Sequence, residues 1–299
     1  MDFNVVGVGE VLWDLLLTGP QLGGAPANFA YHARALGAHV HVVTRVGNDD
    51  YGREITRRFH EMGLPDTTVQ VDEAASTGLA KVELSGDGLA HFTILENVAW
   101  DYICVADEAL AAVRDADAIC FGSLAQRNEL SRRTIQQLVA ATPATALRVF
   151  DINLRQRFYS REVIEESLQL ANVFKLNDDE LPTLAKMFRL GGSPEQQIKR
   201  LAETFGLRLI ALTRGADGSL LYQTGDRKWS DCPSRPVKVV DTVGAGDSFT
   251  AALVLGLLRK MDLDEINSIA NDVARYVCSQ AGATPSLPPE FAQKFSVPQ

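Results

Sequence analysis

Residues 241–249 read DTVGAGDSF, three small residues followed directly by a carboxylate. Small residues let a backbone come very close to a ligand. The stretch follows VKVV, which reads as a strand ending, and precedes TAALVLGLLRK, a good helix sequence. Gly244, Ala245 and Gly246 therefore fall where the first free N–H groups of a helix point outward, with the positive end of its dipole behind them. Such a place binds a phosphate. Asp247 falls in the same first turn. An acid beside a phosphate site has a use when a hydroxyl is to be phosphorylated: the carboxylate takes the proton, while the N–H groups hold the charge developing on the transferred group. The nonapeptide alone leaves a second reading open, in which Asp247 is a first-turn acid favoured by the dipole and the glycines only permit a tight bend.

Other phosphate and cofactor patterns are missing. There is no G-x-x-x-x-G-K-[ST] loop, and the early GVGEVL has Leu12 where a dinucleotide fingerprint needs its last glycine. Cys104, Cys120, Cys232 and Cys278 are widely spaced, with no C-x-x-C pair or Cys/His cluster, and read as reduced thiols. A formal net charge of −9 argues against a broad nucleic-acid or anionic-membrane surface. The opening MDFNVVGVGEVLWDLLL lacks a basic n-region, and its apolar run is broken by Glu10 and Asp14, so it reads neither as a secretory signal nor as a membrane span. A soluble cytoplasmic protein is expected.

The elements that must hold these residues follow from hydrophobic periodicity. Residues 3–9 form an apolar strand candidate, and 26–37 a helix opened by Pro26 and closed by Gly37. HVHVVTRVG reads as a strand and DDYGREITRRFHEMG as a helix. The rhythm breaks between 67 and 98, where TGLAKVEL, a SGDG turn and LAHFTIL describe a β-hairpin. Alternation resumes with a helix near 106–114, strand DAICFG, a helix near 129–141, strand LRVFDIN, a helix near 161–171, strand VFKLN and helices to 205. LRLIALTRGADGSLLYQ reads as two strands around a Gly-rich turn, and helices at 245–258 and 263–281 finish the chain. This alternation predicts one α/β domain over 1–299, a mainly parallel central sheet between two helical layers, with β-lid elements around 10–18 and 67–98.

DTVGAGDSF resembles the C-terminal signature of the PfkB (ribokinase-like) family of sugar kinases, and LGGAPANFAYHARALGAHVHVVTRVGNDDYG, residues 22–52, resembles its N-terminal signature. Within the family, GEVLWDLL, LGGAPANFAYHARALG, ENVAWD and FGSLAQR look most like bacterial fructokinases. The resemblance implies a three-layer α/β/α ribokinase-like fold, ATP and Mg²⁺ as cofactors, and transfer of a phosphoryl group to a primary hydroxyl of a small sugar, fructose first. Rival substrates are ribose, 2-keto-3-deoxygluconate or a nucleoside. Arg127 or Arg155 could face a keto acid's carboxylate, and Phe92 or Trp100 could floor a nucleoside. A non-catalytic, sugar-responsive regulator on the same fold is a remote alternative.

The same likeness implies roles residue by residue. Asp247 is the general base, with Gly244, Ala245 and Gly246 as the anion hole. Asp14, Gly24 and Asn28 would hold sugar hydroxyls. Asp14 interrupts an apolar strand, where a carboxylate needs donors; an edge position for it, and a cap or turn for the other two, would be the structural alternative. Asn153 and Arg155 of DINLR would lie near the substrate or phosphates, with a surface ion pair the alternative for Arg155. In KLNDDEL, Asn177 and Glu180 match N-x-x-E, and Glu180 would act through water on magnesium; as a helix start, the pair also reads as an N-cap and its capping-box partner. Thr213, Gly215 and Gly218 would shape the nucleotide loop, or only a β-turn. Asn271 aligns with a position beside the adenine or ribose. Asp241, Val243, Val277, Gly282 and Ser286 would enclose a monovalent cation such as K⁺. The hairpin would fold over the sugar as a lid, and lids of this family often pair between subunits, so a homodimer is expected.

Overall fold

The computed structural model describes residues 3–16, 19–84 and 90–296. Strand β1 (Asn4–Val8) leads into the antiparallel pair β2 (Leu12–Leu16) and β3 (Gly19–Gly23), then α1 (Ala25–Ala35), β4 (His39–Gly47), α2 (Asp50–Glu61) and β5 (Val69–Asp72). The hairpin β6 (Gly78–Leu84) and β7 (Ala90–Ile94) follows, then α3 (Asp107–Arg114), β8 (Ala118–Phe121), α4 (Glu129–Ala140) and β9 (Leu147–Asp151). Next come α5 (Arg161–Leu170), β10 (Val173–Asn177), α6 (Glu180–Phe188), α7 (Pro194–Phe205), β11 (Leu209–Thr213), β12 (Ser219–Gln223) and β13 (Lys228–Cys232). Helices α8 (Ala245–Leu258), α9 (Leu263–Cys278) and α10 (Pro289–Gln293) complete the order.

Among the described residues the main sheet has nine strands, in the order β13-β12-β11-β10-β9-β8-β1-β4-β5. The run from β11 to β5 is parallel, and the β11-β12-β13 edge is antiparallel. Neighbouring residues of one strand point to opposite faces, yet Val5 and Val6, or Cys120 and Phe121, are both buried. Apolar packing therefore covers both faces. Phe121, Phe150 and Phe174 stack across β8, β9 and β10 at centroid spacings of 5.3 and 5.6 Å on one face. On the other, Val5, Val149 and Val173 share a cluster with Phe249 of α8 and Phe29 of α1. This is the three-layer α/β/α arrangement.

The chain leaves β1 toward β4 on one side and later returns to β8 on the other. Open α/β sheets bind ligands at such a reversal, outside the carboxyl ends of the strands.

Two expectations change. VKVV, residues 237–240, forms no strand: three of its four residues are exposed, and the sheet edge is instead β13, held to β12 by ladder pairing and by Tyr222 stacked on Trp229 at 4.3 Å. The small sheet, in the order β3-β2-β6-β7, recruits GPQLG as a strand that its Gly and Pro content concealed, while residues 69–72 pair with β4 in the main sheet. The expected turn at 85–88 and residues 17 and 18 of the expected lid lie outside the described residues, as does the side chain of Phe92.

Candidate active site

Helix α8 begins at Gly244, whose backbone is left-handed at φ 78°, and Asp247 falls in its first turn. The N–H groups of that turn have no acceptor one turn earlier, though the N–H of Ala245 is drawn back to Thr242 O at 3.3 Å. Gly246 and Asp247 are left to offer the anion-facing donors. The glycine at 244 has a second cause besides φ: a Cβ there would sit 2.3 Å from Ala283 O. That carbonyl is fixed in turn by Nε2 of buried His32, 2.9 Å away. Burial lowers the His32 pKa to about 4, so the imidazole is neutral at pH 7 and its Nε2–H donates.

Asp247 is half-buried beside Asn28, whose Nδ2 donates to its Oδ2 at 2.8 Å. The two signatures, far apart in sequence, thus meet at one hydrogen bond. Burial first, and then the anion of Asp151, push the Asp247 pKa up to about 6, against the lowering effect of Asn28, Lys175 and Arg155. A carboxylate near 6 is ionised at pH 7 and more basic than an exposed aspartate, as a general base requires.

On the sugar side, Asp14 sits on β2 beside Gly23, where an added Cβ would fall 2.6 Å from Asp14 Oδ2. Burial raises its pKa, with Arg155 opposing. Gly24 is the N-cap of α1 at φ 121°, and a Cβ there would meet Glu10 O at 2.5 Å, so its close approach is to the chain itself. Asn153 adopts a left-handed backbone at φ 42°, which turns the chain after β9. Arg155 is exposed, donates to Leu154 O at 3.2 Å, and lies near enough to Asp14, Glu10 and Asp247 to lower all three pKa values.

Arg127, by contrast, is already committed. Its guanidinium bonds both oxygens of Asp101 at 2.8 Å, is nearly buried and lies over the fully buried Trp100 ring at 3.9 Å. Neither residue offers an open face to a ligand.

On the nucleotide side, Asn177 and Glu180 cap each other: Glu180 N–H donates to Asn177 Oδ1, and Asn177 N–H to Glu180 Oε2, both at 2.8 Å. Glu180 Oε1 accepts from Leu154 N–H at 2.8 Å, so one buried carboxylate ties the loop after β10 to the loop after β9. Thr213 ends β11, and Gly215 and Gly218 bracket the turn to β12. A Cβ on Gly218 would lie 2.0 Å from Cys232 O and 2.5 Å from Ser234 N, which makes the glycine necessary. The segment it meets borders a cavity of about 290 Å³, lined by Pro233, Pro236, Ser268, Asn271 and Arg275 among others. Asn271 spends its amide N–H groups on Ser219 Oγ at 2.6 Å and Asn267 O at 2.8 Å, leaving its carbonyl oxygen for a ligand. Of the residues expected around a monovalent cation, Asp241 accepts from Val243 N–H at 3.0 Å and Gly282 N–H at 3.1 Å, binding the two loops together. The Val277 and Ser286 carbonyls accept from Gln280 N–H and Tyr276 Oη–H. Among the described residues no group of three or more His, Cys, Asp or Glu side chains could hold a metal.

Sequence reasoning passed over Glu10, Asp151, Lys175 and Thr250. Glu10 is buried after β1 with Oε2 unpartnered, and desolvation lifts its pKa to about 7. Lys175 Nζ bonds Asp151 Oδ1 at 3.1 Å, and Thr250 Oγ1 donates to Asp151 Oδ2 at 2.8 Å. The available signal was charge inside VFKLN and LRVFD, strands buried on both faces, where a charge needs a reason.

A helix N-terminus with an adjacent base, at the switch point of an α/β/α sheet, defines a phosphotransferase site acting on a hydroxyl. Residues 19–290 match the pfkB family carbohydrate kinase model, and the chain belongs to that family of ATP-dependent kinases. Fructokinase-1 of Zea mays is 30% identical over 312 residues, covering 96% of this chain and 95% of the relative. The fructokinase of Klebsiella pneumoniae is 30% identical over 287 residues, covering 92% and 91%. The structure of an uncharacterized sugar kinase from Pyrococcus horikoshii in complex with ATP superposes with a TM-score of 0.79 at 27% identity, covering 98% of this chain and all of the other. Among the described residues no helix is long and apolar enough to cross a membrane.

Proposed function

We propose that this kinase phosphorylates the primary 6-hydroxyl of fructose, with Asp247 as general base and the 244–247 turn as anion hole. The observation that carries the reading is the Asn28–Asp247 hydrogen bond, which sets the expected sugar-binding and catalytic residues 2.8 Å apart. Mg²⁺-ATP supplies the transferable γ-phosphoryl group when bound. Asp14 and Asn28 hold the sugar so that its hydroxyl faces Asp247, which removes the proton, while the first-turn N–H groups of Gly246 and Asp247 take up negative charge on the transferred group. Thr213 and the 215–218 turn carry the phosphates, Asn271 the base, and Glu180 orients water on the divalent ion. The 241–243 and 282–286 loops would hold a monovalent cation, whose charge would stiffen the turn. The small sheet shields the sugar from water and offers its outer strands to a second subunit in the cytoplasm.

Fructose is placed ahead of a sugar acid because fructokinases align over nearly the whole chain; with Arg127 already neutralised by Asp101, the exposed Arg155 is the cation a sugar acid's carboxylate would use. The test is ADP release with Mg²⁺-ATP and potassium across fructose, ribose, tagatose, 2-keto-3-deoxygluconate and nucleosides. The highest kcat/KM for fructose supports the reading; another winner replaces the substrate and leaves the family mechanism standing.

A further inference from the structure

We propose that Lys175 is a positioning residue of the phosphoryl-transfer site, its buried ammonium fixing the first turn of α8 and, through that turn, Asp247. The inference rests on Asp247 being the base. Lys175 extends from the middle of β10 and Asp151 from the carboxyl end of β9, two adjacent parallel strands in which they are paired in register. Both side chains are more than nine-tenths buried, and the ion pair measures 3.1 Å. Thr250, one turn into α8, donates to the far oxygen of Asp151 and stands 3.0 Å from Gly246 O. The same pair approaches the turn again one residue before Asp247, where a Cβ on Gly246 would lie only 2.9 Å from Lys175 Nζ. Gly246 and Thr250 share one face of α8, so the first turn rests with that face on the Lys175–Asp151 pair.

Stability does not account for this arrangement. Burying an ion pair costs several kcal/mol of desolvation per ion, and well-packed apolar residues in its place are often as good or better. An ammonium has three N–H donors, and among the described residues this one bonds Asp151 alone. What the pair does supply is a fixed charge of each sign beneath the anion hole. Asp247 is faced by Asp151 from β9, Lys175 from β10, Arg155 from the loop after β9, Glu10 from the end of β1 and the neutral Asn28 of α1. Glu180 of α6 bears on Lys175, and the Cys120 thiol of β8, kept neutral by burial, completes the ring. Of these, Lys175 and Asp151 are the buried charges mounted on rigid strands.

The test needs no bound nucleotide. In apo protein carrying ¹³C-labelled aspartate, with the Asp247 carboxyl resonance assigned by its loss in Asp247→Asn, the Asp247 titration is followed in Lys175→Met and Asp151→Asn. Lys175→Met is expected to move it up, and Asp151→Asn down, by about one pH unit each, because the variants remove charges of opposite sign. Steady-state ADP release should show kcat in Lys175→Met lowered at least about tenfold, with the sugar KM within about threefold, since sugar contacts are intact. An Asp247 titration that stays put in both variants, with kcat unchanged, overturns the proposal. Should Lys175→Met fail to fold, Asp151→Asn and the near-isosteric Thr250→Val carry the test by the same two readouts. Normal turnover of Asp247→Asn would remove the base assignment, but the opposed titration shifts would still be measurable, so the two failures are distinguishable.

Discussion

Replacing Gly244 by alanine tests the central claim about the turn, that its position is imposed by backbone it cannot displace. The backbone at 244 is left-handed at φ 78°, which costs an L-residue about 1–2 kcal/mol. The added Cβ would also lie 2.3 Å from Ala283 O, 2.7 Å from its Cα and 2.9 Å from its carbonyl carbon, where ordinary contact begins at 3.4 Å. None of these is the flexible end of a side chain, and Ala283 O is held by His32. Relief therefore requires the turn or the 283 loop to shift by about 1 Å, a displacement that costs on the order of 100-fold when it reaches a catalytic group. We expect kcat to fall about 100-fold in initial-rate ADP assays and the melting temperature to drop by several degrees, roughly 2–4 °C per kcal/mol. Gly225→Ala is the control, because nothing lies within 4 Å of a Cβ there. If Gly244→Ala turns over at the wild-type rate, the turn is not locked against residue 283, and the account of how the anion hole is positioned fails.

Three further outcomes are expected. Asp247→Asn should lower kcat by about 10²–10⁴-fold, while sugar and ATP affinities measured by calorimetry stay near wild type; near-normal turnover would exclude Asp247 as the base. The pH profile of kcat/KM in the wild type should have an acid limb near pH 6, because Asp247 of the free enzyme, pushed up to about 6, must be ionised to accept a proton; activity falls tenfold per pH unit below that limb and is level above it, and a profile flat down to pH 5 contradicts the assignment. Glu10→Gln should stabilise the protein at high pH: burial holds Glu10 at about 7 against an ordinary 4.5, so the folded state keeps a proton the unfolded chain has lost, and stability falls as pH rises through that window. Glutamine removes this loss, which amounts to about 3 kcal/mol above pH 7, so melting temperatures of the two proteins should diverge between pH 5 and pH 8, and parallel curves would refute the shift.

How much of this the sequence disclosed depended on whether a residue's cause was local. Strands such as VFKLN and helices such as DDYGREITRRFHEMG declare themselves by periodicity, so the layered sheet was legible. Strand β13 was not: KWSDC has no apolar alternation and becomes a strand because β12 pairs with it and Tyr222 covers Trp229, whereas the more strand-like VKVV pairs with no strand among the described residues. The site divides the same way. Asp247 could be read because base and anion hole lie in one turn, and the reciprocal Asn177–Glu180 cap because its partners are three residues apart. The lysine of VFKLN gave only the sign of a charge in a buried strand. Its meaning is set by Asp151 on the neighbouring strand and by Thr250, 99 residues beyond that aspartate. Charges that act through space on a catalytic group depend on which strand ends lie side by side, and strand order is a property of the folded sheet, fixed here by the reversal at β1. The acid and its anion hole can therefore be found in one short segment, but what tunes them had to be sought across β9, β10 and the loop after β1.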